Sequence, residues 1–432
     1  LFHNIPNRNT YIVIYTHLGY SLRNNMALYS SIVLYIALFF GLYYQIFLLV
    51  TFFEKEEEKK APKNAYEPSV TIIVPCFNEA KTVAKTVQSL LKLNYPKEKL
   101  FITVVDDGSS DATYEEAQKI SHLGNITVLQ QKNSGKYVAL NKGIELSQSE
   151  IVGCLDADST VHPDTLLKML PYFSGNKVVA VTPAMKVHDP KTLLQKIQNA
   201  EYNIGIFLKK IMGKLDAIHV TPGPFSLFKK SIFNEIGYFR HAHNTEDMEI
   251  AFRIQHHHYR IANCPQGFVY TITPPTLKKL YKQRVRWTYG FLKNAMDYRH
   301  MFFNKKYGNI GTLTLPFAII SVVTAFLVIG NSIYNFSTSI AEHIEKYMVA
   351  GVSLSWPSFD VFFLNTSSVT LLTFTMLCSS LSIILLAWKM VEGKARISKD
   401  IFYFIALYGF IAPLWLAKAS WNAITSKAVS WR

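Results

Sequence analysis

The chain has 432 residues, of which 49% are hydrophobic and 17% are charged, and its 45 Lys and Arg against 30 Asp and Glu give a formal net charge of +15. So much apolar content with so few charges excludes a disordered chain. The four cysteines lie far apart without CxxC or CxxxC spacing, so the sequence indicates neither a zinc knuckle nor a disulfide framework. A reducing compartment is the simpler expectation.

The predicted elements begin with an uncharged stretch, residues 24–53. A helix of this length exceeds the roughly 20 residues that cross the hydrocarbon of a membrane, and the stretch is longer than the roughly 7 to 15 apolar residues of a cleavable signal peptide. Residues 1–53 are therefore predicted to be an N-terminal segment with one transmembrane helix. Because the chain begins at Leu1 rather than Met, the prediction leaves room for a second transmembrane helix upstream of Leu1.

Residues 54–277 are predicted to form a soluble domain in which strands and helices alternate. Residues 70–76 are an apolar, β-branched run, and residues 79–93 then repeat apolar side chains at helical spacing. Similar apolar strands recur at 101–105, 126–129, 151–155 and 178–181. Continuous apolar strands indicate a mostly parallel sheet with helices on both faces, and such sheets bind ligands beyond the carboxyl ends of their strands.

Polar residues follow three of these strands: PCFNE at 75–79, DDGS at 106–109 and DAD at 156–158. Two carboxylates separated by one residue can reach the same cation, and oxygen ligands suit Mg²⁺ or Mn²⁺. Asp156 and Asp158 are therefore candidate metal ligands, and a solvated turn with a helix cap is the alternative. The sequence contains neither GxGxxG nor GxxxxGK[ST], the motifs of the common dinucleotide and triphosphate loops.

Three further groups of polar residues are candidates for a binding site. Gly135 and Lys136 open a predicted helix, where a lysine and a helix N-terminus can face a phosphate. NTED at 244–247 begins another helix, although acidic residues also occur there for dipole reasons. In QRVRW at 283–287, the arginines suit phosphate oxygens and the indole suits the apolar face of a sugar, although the segment can equally face a membrane surface.

Residues 278–306 carry nine Lys and Arg against the single acid Asp297. Basic residues with interleaved aromatics can bind nucleic acid, but the position of this segment beside an apolar stretch favours basic amphipathic helices on an anionic membrane surface. We therefore expect membrane lipid as a partner and no nucleic acid.

Residues 307–432 are predicted to contain about three transmembrane helices, within the uncharged stretches 307–341, 361–388 and 401–417. The loop between the last two stretches is rich in Lys and Arg, and the positive-inside rule places such a loop in the cytoplasm. The sequence therefore predicts an integral protein of the plasma membrane, with residues 54–306 on the cytoplasmic side.

The motifs in chain order are VPCFNEA (74–80), VVDDGSSD (104–111), GKYVALNKG (135–143), LDADS (155–159), TPGPFSLFKK (221–230), NTED (244–247) and QRVRW (283–287). In order and spacing, residues 68–290 resemble the membrane-integrated processive family-2 glycosyltransferases, the group of hyaluronan, chitin, cellulose and poly-N-acetylglucosamine synthases. The resemblance implies an α/β GT-A nucleotide-sugar-binding domain attached to transmembrane helices, a UDP-sugar donor, and Mg²⁺ or Mn²⁺ as cofactor.

The resemblance also implies a role for individual residues. Donor-binding residues are Pro75, Asn78, Glu79, Asp106, Asp107, Lys136, Asp156, Gln283, Arg284 and Arg286. The metal ligands are Asp156 and Asp158, the general base is Asp247 with Glu246 beside it, and the acceptor-binding residues are Trp287, Gly223, Pro224 and Thr245. A single base with in-line attack inverts the anomeric configuration, so no covalent nucleophile is required.

The choice of polymer rests on departures from the relatives. No FxVTxK segment follows QRVRW, which disfavours cellulose, and NTED replaces the GDDR-type motif that is usual in hyaluronan synthases. We expect processive transfer of N-acetylglucosamine from UDP-GlcNAc onto a growing β-linked polysaccharide that leaves through the membrane helices. The alternatives are a hyaluronan- or chitin-type synthase, a non-processive transferase to polyprenyl phosphate or ceramide, and an inactive membrane scaffold. Accessory subunits are not indicated by the sequence.

Overall fold

The computed structural model describes residues 8–54, 67–351, 367–395 and 397–427. By their internal contacts they form two units, the first from Leu1–Leu49 and Ile319–Ser382, and the second from Val50–Ala318 and Ile383–Arg432. Residues 55–66 and the first residues of the predicted span 361–388 lie outside the described residues.

Twelve helices occur in the described residues, apart from short 3₁₀ and π turns. They are α1 (Arg8–Phe53), α2 (Val83–Leu91), α3 (Thr113–Lys119), α4 (Lys136–Leu146), α5 (Thr165–Met169), α6 (Leu193–Lys214), α7 (Ile232–Ile236), α8 (Glu246–His256), α9 (Leu277–Asp297), α10 (Leu315–Ala350), α11 (Ser368–Glu392) and α12 (Lys399–Ile424).

Four helical segments of the described chain are long and apolar enough to cross a membrane: Leu28–Phe53, Ile310–Val349, Ser368–Glu392 and Lys399–Ile424. Helices suit that environment because every backbone donor and acceptor within them is satisfied without water. The predicted N-terminal span and the three C-terminal spans all have helical counterparts, and the chain is an integral membrane protein.

The strands of the second unit form one sheet. They are β1 (Val70–Cys76), β2 (Leu100–Asp106), β3 (Ile126–Gln130), β4 (Ile151–Cys154), β5 (Ser159–Val161), β6 (Val178–Val187), β7 (Leu227–Lys229) and β8 (Arg260–Thr271). Their order is β3-β2-β1-β4-β7-β6-β8-β5.

The sheet is mixed rather than uniformly parallel. Among the described strands, β1-β2, β1-β4, β2-β3 and β6-β8 pair in parallel, whereas β4-β7, β6-β7 and β5-β8 pair antiparallel. The antiparallel pairs all involve β7 or β5, each only three residues long. A strand of three residues is too short to show the continuous apolar run that indicates a parallel strand, so the sequence pattern does not reveal these antiparallel pairs.

The register of the parallel strands brings the sequence motifs to one edge. Cys76 at the end of β1 lies opposite Asp106 at the end of β2, and Ile73 of β1 lies opposite Cys154 at the end of β4. Neighbouring parallel strands present the loops that follow them at the same edge of the sheet. The loops after residues 76, 106 and 154 therefore adjoin one another.

Three helices of the second unit pack together beside this edge. Val285 and Tyr289 of α9 share an apolar cluster with Trp415 and Ala419 of α12. Ala200 of α6 packs in a second cluster, which contains residues of α11 and α12. Because α9 carries QRVRW, this packing fixes the motif against a helix of membrane-spanning length.

Candidate active site

A cavity of about 1060 Å³ opens beyond the carboxyl ends of β1, β2 and β4 and is bordered by α6, α9 and α12. It is lined by fourteen residues that the motifs singled out: Pro75, Glu79, Asp107, Lys136, Asp156, Asp158, Gly223, Pro224, Glu246, Asp247, Gln283, Arg284, Arg286 and Trp287. Its volume lies slightly above the roughly 300 to 1,000 Å³ of small-molecule pockets. One cavity thus collects residues from all seven motifs.

Asn78 and Asp106, two predicted donor-binding residues, do not line the cavity. The Asn78 side-chain oxygen accepts a hydrogen bond from the Ser110 backbone N–H at 2.8 Å. The Asp106 carboxylate is fully buried and accepts from the Gln130 amide at 3.1 Å and from Ser109. Both side chains bond to neighbouring loops, and their predicted contact with the donor stays a prediction.

Lys136 joins two motifs that are far apart in sequence. Its ammonium lies 2.6 Å from Asp156 Oδ1 and 3.5 Å from Glu246 Oε1. Burial alone lowers the pKa of Lys136, but the carboxylates of Asp156 and then Glu246 raise it above its usual value. The ammonium therefore stays charged and holds the DAD segment beside the TED segment.

Asp107 lines the cavity and also shapes the loop that leads to Lys136. Its Oδ1 accepts from the Gln131 amide at 2.7 Å and from the Ser134 N–H at 2.9 Å, and its Oδ2 accepts from the Gly135 N–H at 2.8 Å. A carboxylate with three donors is held rigidly. The structure thus assigns Asp107 a loop-ordering contact, and its predicted contact with the nucleotide base stays a prediction.

Asp156 and Asp158 form an acidic group with Glu79 nearby. Burial first, and then the charges of Asp156 and Glu79, raise the pKa of Asp158 to about 6. Within the described residues, no cluster of three or more His, Cys, Asp and Glu side chains encloses a metal ion by itself. Two carboxylates nevertheless fit Mg²⁺ or Mn²⁺, because Mg²⁺ in phosphate-transfer sites is typically held by one or two carboxylates, waters and substrate phosphates.

Asp247 lies in the first turn of α8, and its backbone position is fixed from the TPGP loop. Both the N–H and the hydroxyl of Thr221 donate to the Asp247 carbonyl, at 3.0 and 2.9 Å. Burial first, and then the neighbouring charge of Glu246, raise the pKa of Asp247 to about 6. A carboxylate with a pKa near the working pH suits a general base.

The turn before Asp247 has an unusual backbone. Ala242, His243 and Asn244 have φ angles of 43°, 57° and 63°, a left-handed conformation that costs roughly 1 to 2 kcal/mol per non-glycine residue. Arg286 of α9 donates to the Asn244 carbonyl at 3.0 Å. This cavity-lining arginine of QRVRW therefore holds the turn that delivers the candidate base.

Thr245, predicted as an acceptor-binding residue, does not line the cavity but contacts α9. Its hydroxyl accepts from the Asn294 amide at 2.9 Å, and it packs so closely against Gly290 that no Cβ fits there. Thr245 therefore spaces α8 from α9, and its predicted contact with the acceptor stays a prediction.

The sequence profile of the family described as "Glycosyltransferase like family 2" matches residues 68–290, which is more than half of the chain. The chain belongs to the family-2 glycosyltransferases. The matched range begins just before β1 and ends on α9, so it contains the motifs that line the cavity.

Relatives of this family-2 glycosyltransferase include the poly-β-1,6-N-acetyl-D-glucosamine synthase of Staphylococcus aureus (strain COL), which is 34% identical over 271 residues. The match covers 61% of this chain and 65% of that synthase, somewhat less than two thirds of its length. The synthase of the same name from Staphylococcus epidermidis is 29% identical over 357 residues, covering 79% of this chain and 82% of the relative.

A solved structure with the same fold is the mannosyltransferase PcManGT from Pyrobaculum calidifontis, in complex with GDP-Man and Mn²⁺. It is 19% identical, has a TM-score of 0.64, and the match covers 93% of this chain and 99% of that protein. At this identity the likeness shows the fold alone. Together with the family match, it confirms the GT-A fold expected from the sequence.

Sequence reasoning missed several cavity residues of this family-2 glycosyltransferase, among them Glu201 and Lys209 on α6 and Tyr408 on α12. Burial lowers the pKa of Lys209 to about 8. Apolar spacing along α6 or α12 does not tell which partner the helix faces. No short motif marks these positions.

Proposed function

We propose that this glycosyltransferase transfers N-acetylglucosamine from UDP-GlcNAc, processively and with inversion, onto a growing β-linked polysaccharide. The observation that carries the proposal is the Lys136 bridge, which holds Asp156 and Glu246 together in the cavity that Asp247 and Trp287 also line. A donor site and a base must share one space for transfer to occur. The names of the two staphylococcal relatives support the choice of sugar.

In this proposal, Asp156 and Asp158 hold Mg²⁺ or Mn²⁺, which when bound neutralises negative charge on the leaving diphosphate. Lys136 keeps Asp156 in position through its 2.6 Å contact. Gln283 and Arg286 line the same cavity and are the proposed contacts of the diphosphate. Charged donors of this kind act most strongly in a site from which water is excluded.

Asp247 accepts the proton of the acceptor hydroxyl as that oxygen attacks the anomeric carbon. The bond from the anomeric carbon to the diphosphate oxygen breaks, and its electron pair leaves with UDP. One displacement from the face opposite the leaving group inverts the configuration. Trp287 offers an apolar aromatic surface on which the terminal sugar of the acceptor stacks.

The proposed topology puts residues 54–277, the catalytic domain, and residues 278–306, the basic interface segment, on the cytoplasmic side of the plasma membrane. Residues 1–53 and 307–432 provide the membrane helices. α12, which is long enough to span the membrane, contributes Phe404 and Tyr408 to the cavity. A membrane helix in the cavity wall supports an exit for the polymer along that helix.

A lipid-linked acceptor is the second candidate, because the same residues of α12 offer an apolar surface to a polyprenyl phosphate or a ceramide. Such an enzyme adds one sugar and stops. Hyaluronan- and chitin-type synthesis differ from the proposal in donor or linkage. The products distinguish these alternatives.

The test uses purified full-length protein in lipid nanodiscs with Mg²⁺ or Mn²⁺ and, separately, radiolabelled UDP-GlcNAc, UDP-glucose and UDP-glucuronate. We expect UDP-GlcNAc alone to give a product of high molecular mass that a β-1,6-specific hexosaminidase degrades. A polymer that requires UDP-glucuronate, or a single sugar on an added lipid phosphate, contradicts the proposal. A chitinase-sensitive product contradicts only the expected β-1,6 linkage and assigns chitin-type synthesis.

A further inference from the structure

Arg284 of QRVRW is held by a carboxylate from another helix. Its side chain is 8% exposed, and its Nη2 donates to Glu201 Oε2 of α6 at 2.8 Å. A buried guanidinium depends on such a partner, because an uncompensated buried charge is strongly unfavourable. Within the described part of the chain, its Nε donor has no hydrogen-bond partner. Glu201 is therefore the ion-pair partner that fixes the position of Arg284.

Arg284 in turn fixes the orientation of Trp287. The guanidinium carbon lies 4.4 Å from the centre of the Trp287 ring, well within the roughly 6 Å of a cation–π interaction. The two residues are three apart on α9, so their side chains meet on one helix face. With one indole face covered by Arg284, the opposite face is the surface that Trp287 can offer to a ligand in the cavity.

A helix of membrane-spanning length reaches the same carboxylate. The Tyr408 hydroxyl of α12 donates to Glu201 Oε1 at 2.9 Å. The two oxygens of Glu201 are thus bound by two different helices, α9 and α12. Pro413 lies inside α12 and removes the hydrogen bond that would reach the Gly409 carbonyl, so α12 is weakened beside Tyr408.

We propose that Glu201 and Tyr408 are positioning residues for the acceptor: through Arg284 they hold the Trp287 indole in the orientation that binds the terminal saccharide. This inference rests on the proposed function. It predicts that α12 controls the affinity for the acceptor and the length of the product. Donor binding should change little, because the series of contacts that runs from Tyr408 through Glu201 and Arg284 to Trp287 does not include the proposed metal-binding aspartates.

The test removes the hydroxyl alone, with Tyr408→Phe in the full-length protein, and compares it with Tyr403→Phe on the same helix. Tyr403 does not line the cavity. Three quantities are measured: the KM for a short oligosaccharide acceptor, the length distribution of the product, and the affinity for UDP by equilibrium dialysis.

For Tyr408→Phe we expect the acceptor KM to rise about three- to tenfold, the effect of one net hydrogen bond. The products become shorter, while UDP affinity and kcat at saturating acceptor stay within about twofold of wild type. Tyr403→Phe leaves all three quantities unchanged. Full-length products from Tyr408→Phe, or a parallel fall in UDP affinity that indicates general damage to the fold, overturn the proposal.

Glu201→Gln adds a second variant that keeps the shape of the side chain and removes its charge. The double variant with Tyr408→Phe should be no worse than Glu201→Gln alone, because both changes act through the same contact to Arg284. Additive effects on the acceptor KM contradict this relay. Wild-type protein without polymer refutes the proposed function, whereas wild-type polymer with a normal Tyr408→Phe product refutes only the positioning role.

Discussion

The cavity has two walls that are built differently. The strand-end wall, comprising Asp107, Lys136, Asp156 and Asp158, follows the carboxyl ends of parallel strands. The helix wall, comprising Glu201, Arg284, Trp287 and Tyr408, is assembled from the faces of α6, α9 and α12. Both walls are polar, but they differ in how completely their charges are paired.

In the strand-end wall, the carboxylates outnumber the ammonium of Lys136, and burial together with Asp156 and Glu79 raises the pKa of Asp158 to about 6. In the helix wall, Glu201 is bound by both Arg284 and Tyr408. The strand-end wall, with its unpaired negative charge, suits a metal cation and the phosphate bound to it. The helix wall, in which the carboxylate and the guanidinium are paired, offers a rigid surface on which a sugar ring can stack. The difference indicates a donor side and an acceptor side.

Asp247 lies where the two walls meet, and its substitution should have the largest effect. Asp247→Asn keeps the shape of the side chain but removes the base, so polymer synthesis should fall by about 10² to 10⁴-fold. UDP-GlcNAc affinity should stay close to the wild-type value. Initial rates and equilibrium dialysis measure the two effects. Asp189→Asn, at an exposed position, is the control, and normal synthesis by Asp247→Asn would falsify the assignment of the base.

A metal titration compares the walls directly. Asp158→Asn should raise the Mn²⁺ concentration for half-maximal rate by about tenfold or more. Loss of a residue that only supports a metal ligand already lowers metal affinity about tenfold or more, and loss of a direct ligand should lower it at least as much. Glu201→Gln, in the helix wall, should leave that concentration unchanged even if the rate falls. Equal shifts in the two variants would show that the walls do not divide donor and acceptor as described.

Two glycines give a matched pair of small changes, one in each wall. A Cβ at Gly223 would lie 2.6 Å from both Asp156 Oδ1 and Lys136 Nζ, so Gly223→Ala should disturb that ion pair. Overpacking of this kind costs about 1 to 3 kcal/mol, and UDP-GlcNAc binding should weaken accordingly.

A Cβ at Gly205 on α6 would meet no atom of the described residues within 4 Å. Gly205→Ala should therefore keep donor affinity and slightly stabilise the helix, by about 0.5 to 1 kcal/mol. Dialysis and thermal unfolding measure both variants. Weakened donor binding in Gly205→Ala would place part of the donor site on the helix wall.

The smallest expected effect is a change in pH dependence. With a pKa of about 6, Asp247 is protonated and unable to act as a base below that pH, so kcat/KM should fall as the pH drops through about 6. Glu246→Gln removes a neighbouring negative charge that raises this pKa. The acid limb should therefore move to lower pH in the variant. An acid limb that stays in place would assign the titration to another group.

Much of the strand-end wall could be predicted from the sequence because each of its motifs directly follows an apolar strand. Asp156 and Asp158 were expected at a strand end, and the parallel register of β1, β2 and β4 places them there. Asn78 and Asp106 belong to the same motifs yet turn toward neighbouring loops. Which side of a loop a side chain faces depends on hydrogen bonds to segments distant in sequence, and a motif does not specify these.

The helix wall was predictable only in part. QRVRW identified Arg284 and Trp287, but nothing local marked Glu201 or Tyr408 as their partners, since these four residues come from three helices. The expected contact of Arg284 with the diphosphate stays a prediction, and its contacts within the protein are Glu201 and Trp287. Contacts between helix faces depend on packing, which the period of a single helix does not specify.

The sequence by itself determined the membrane helices, the alternating strands and helices, and the acidic and basic residues that a nucleotide-sugar site needs. These features depend on neighbours along the chain: uninterrupted apolar length, apolar periodicity and the residues that end each strand. The tertiary structure decided which charges are paired, because pairing joins residues such as Lys136 with Glu246 and Glu201 with Tyr408 across long sequence distances.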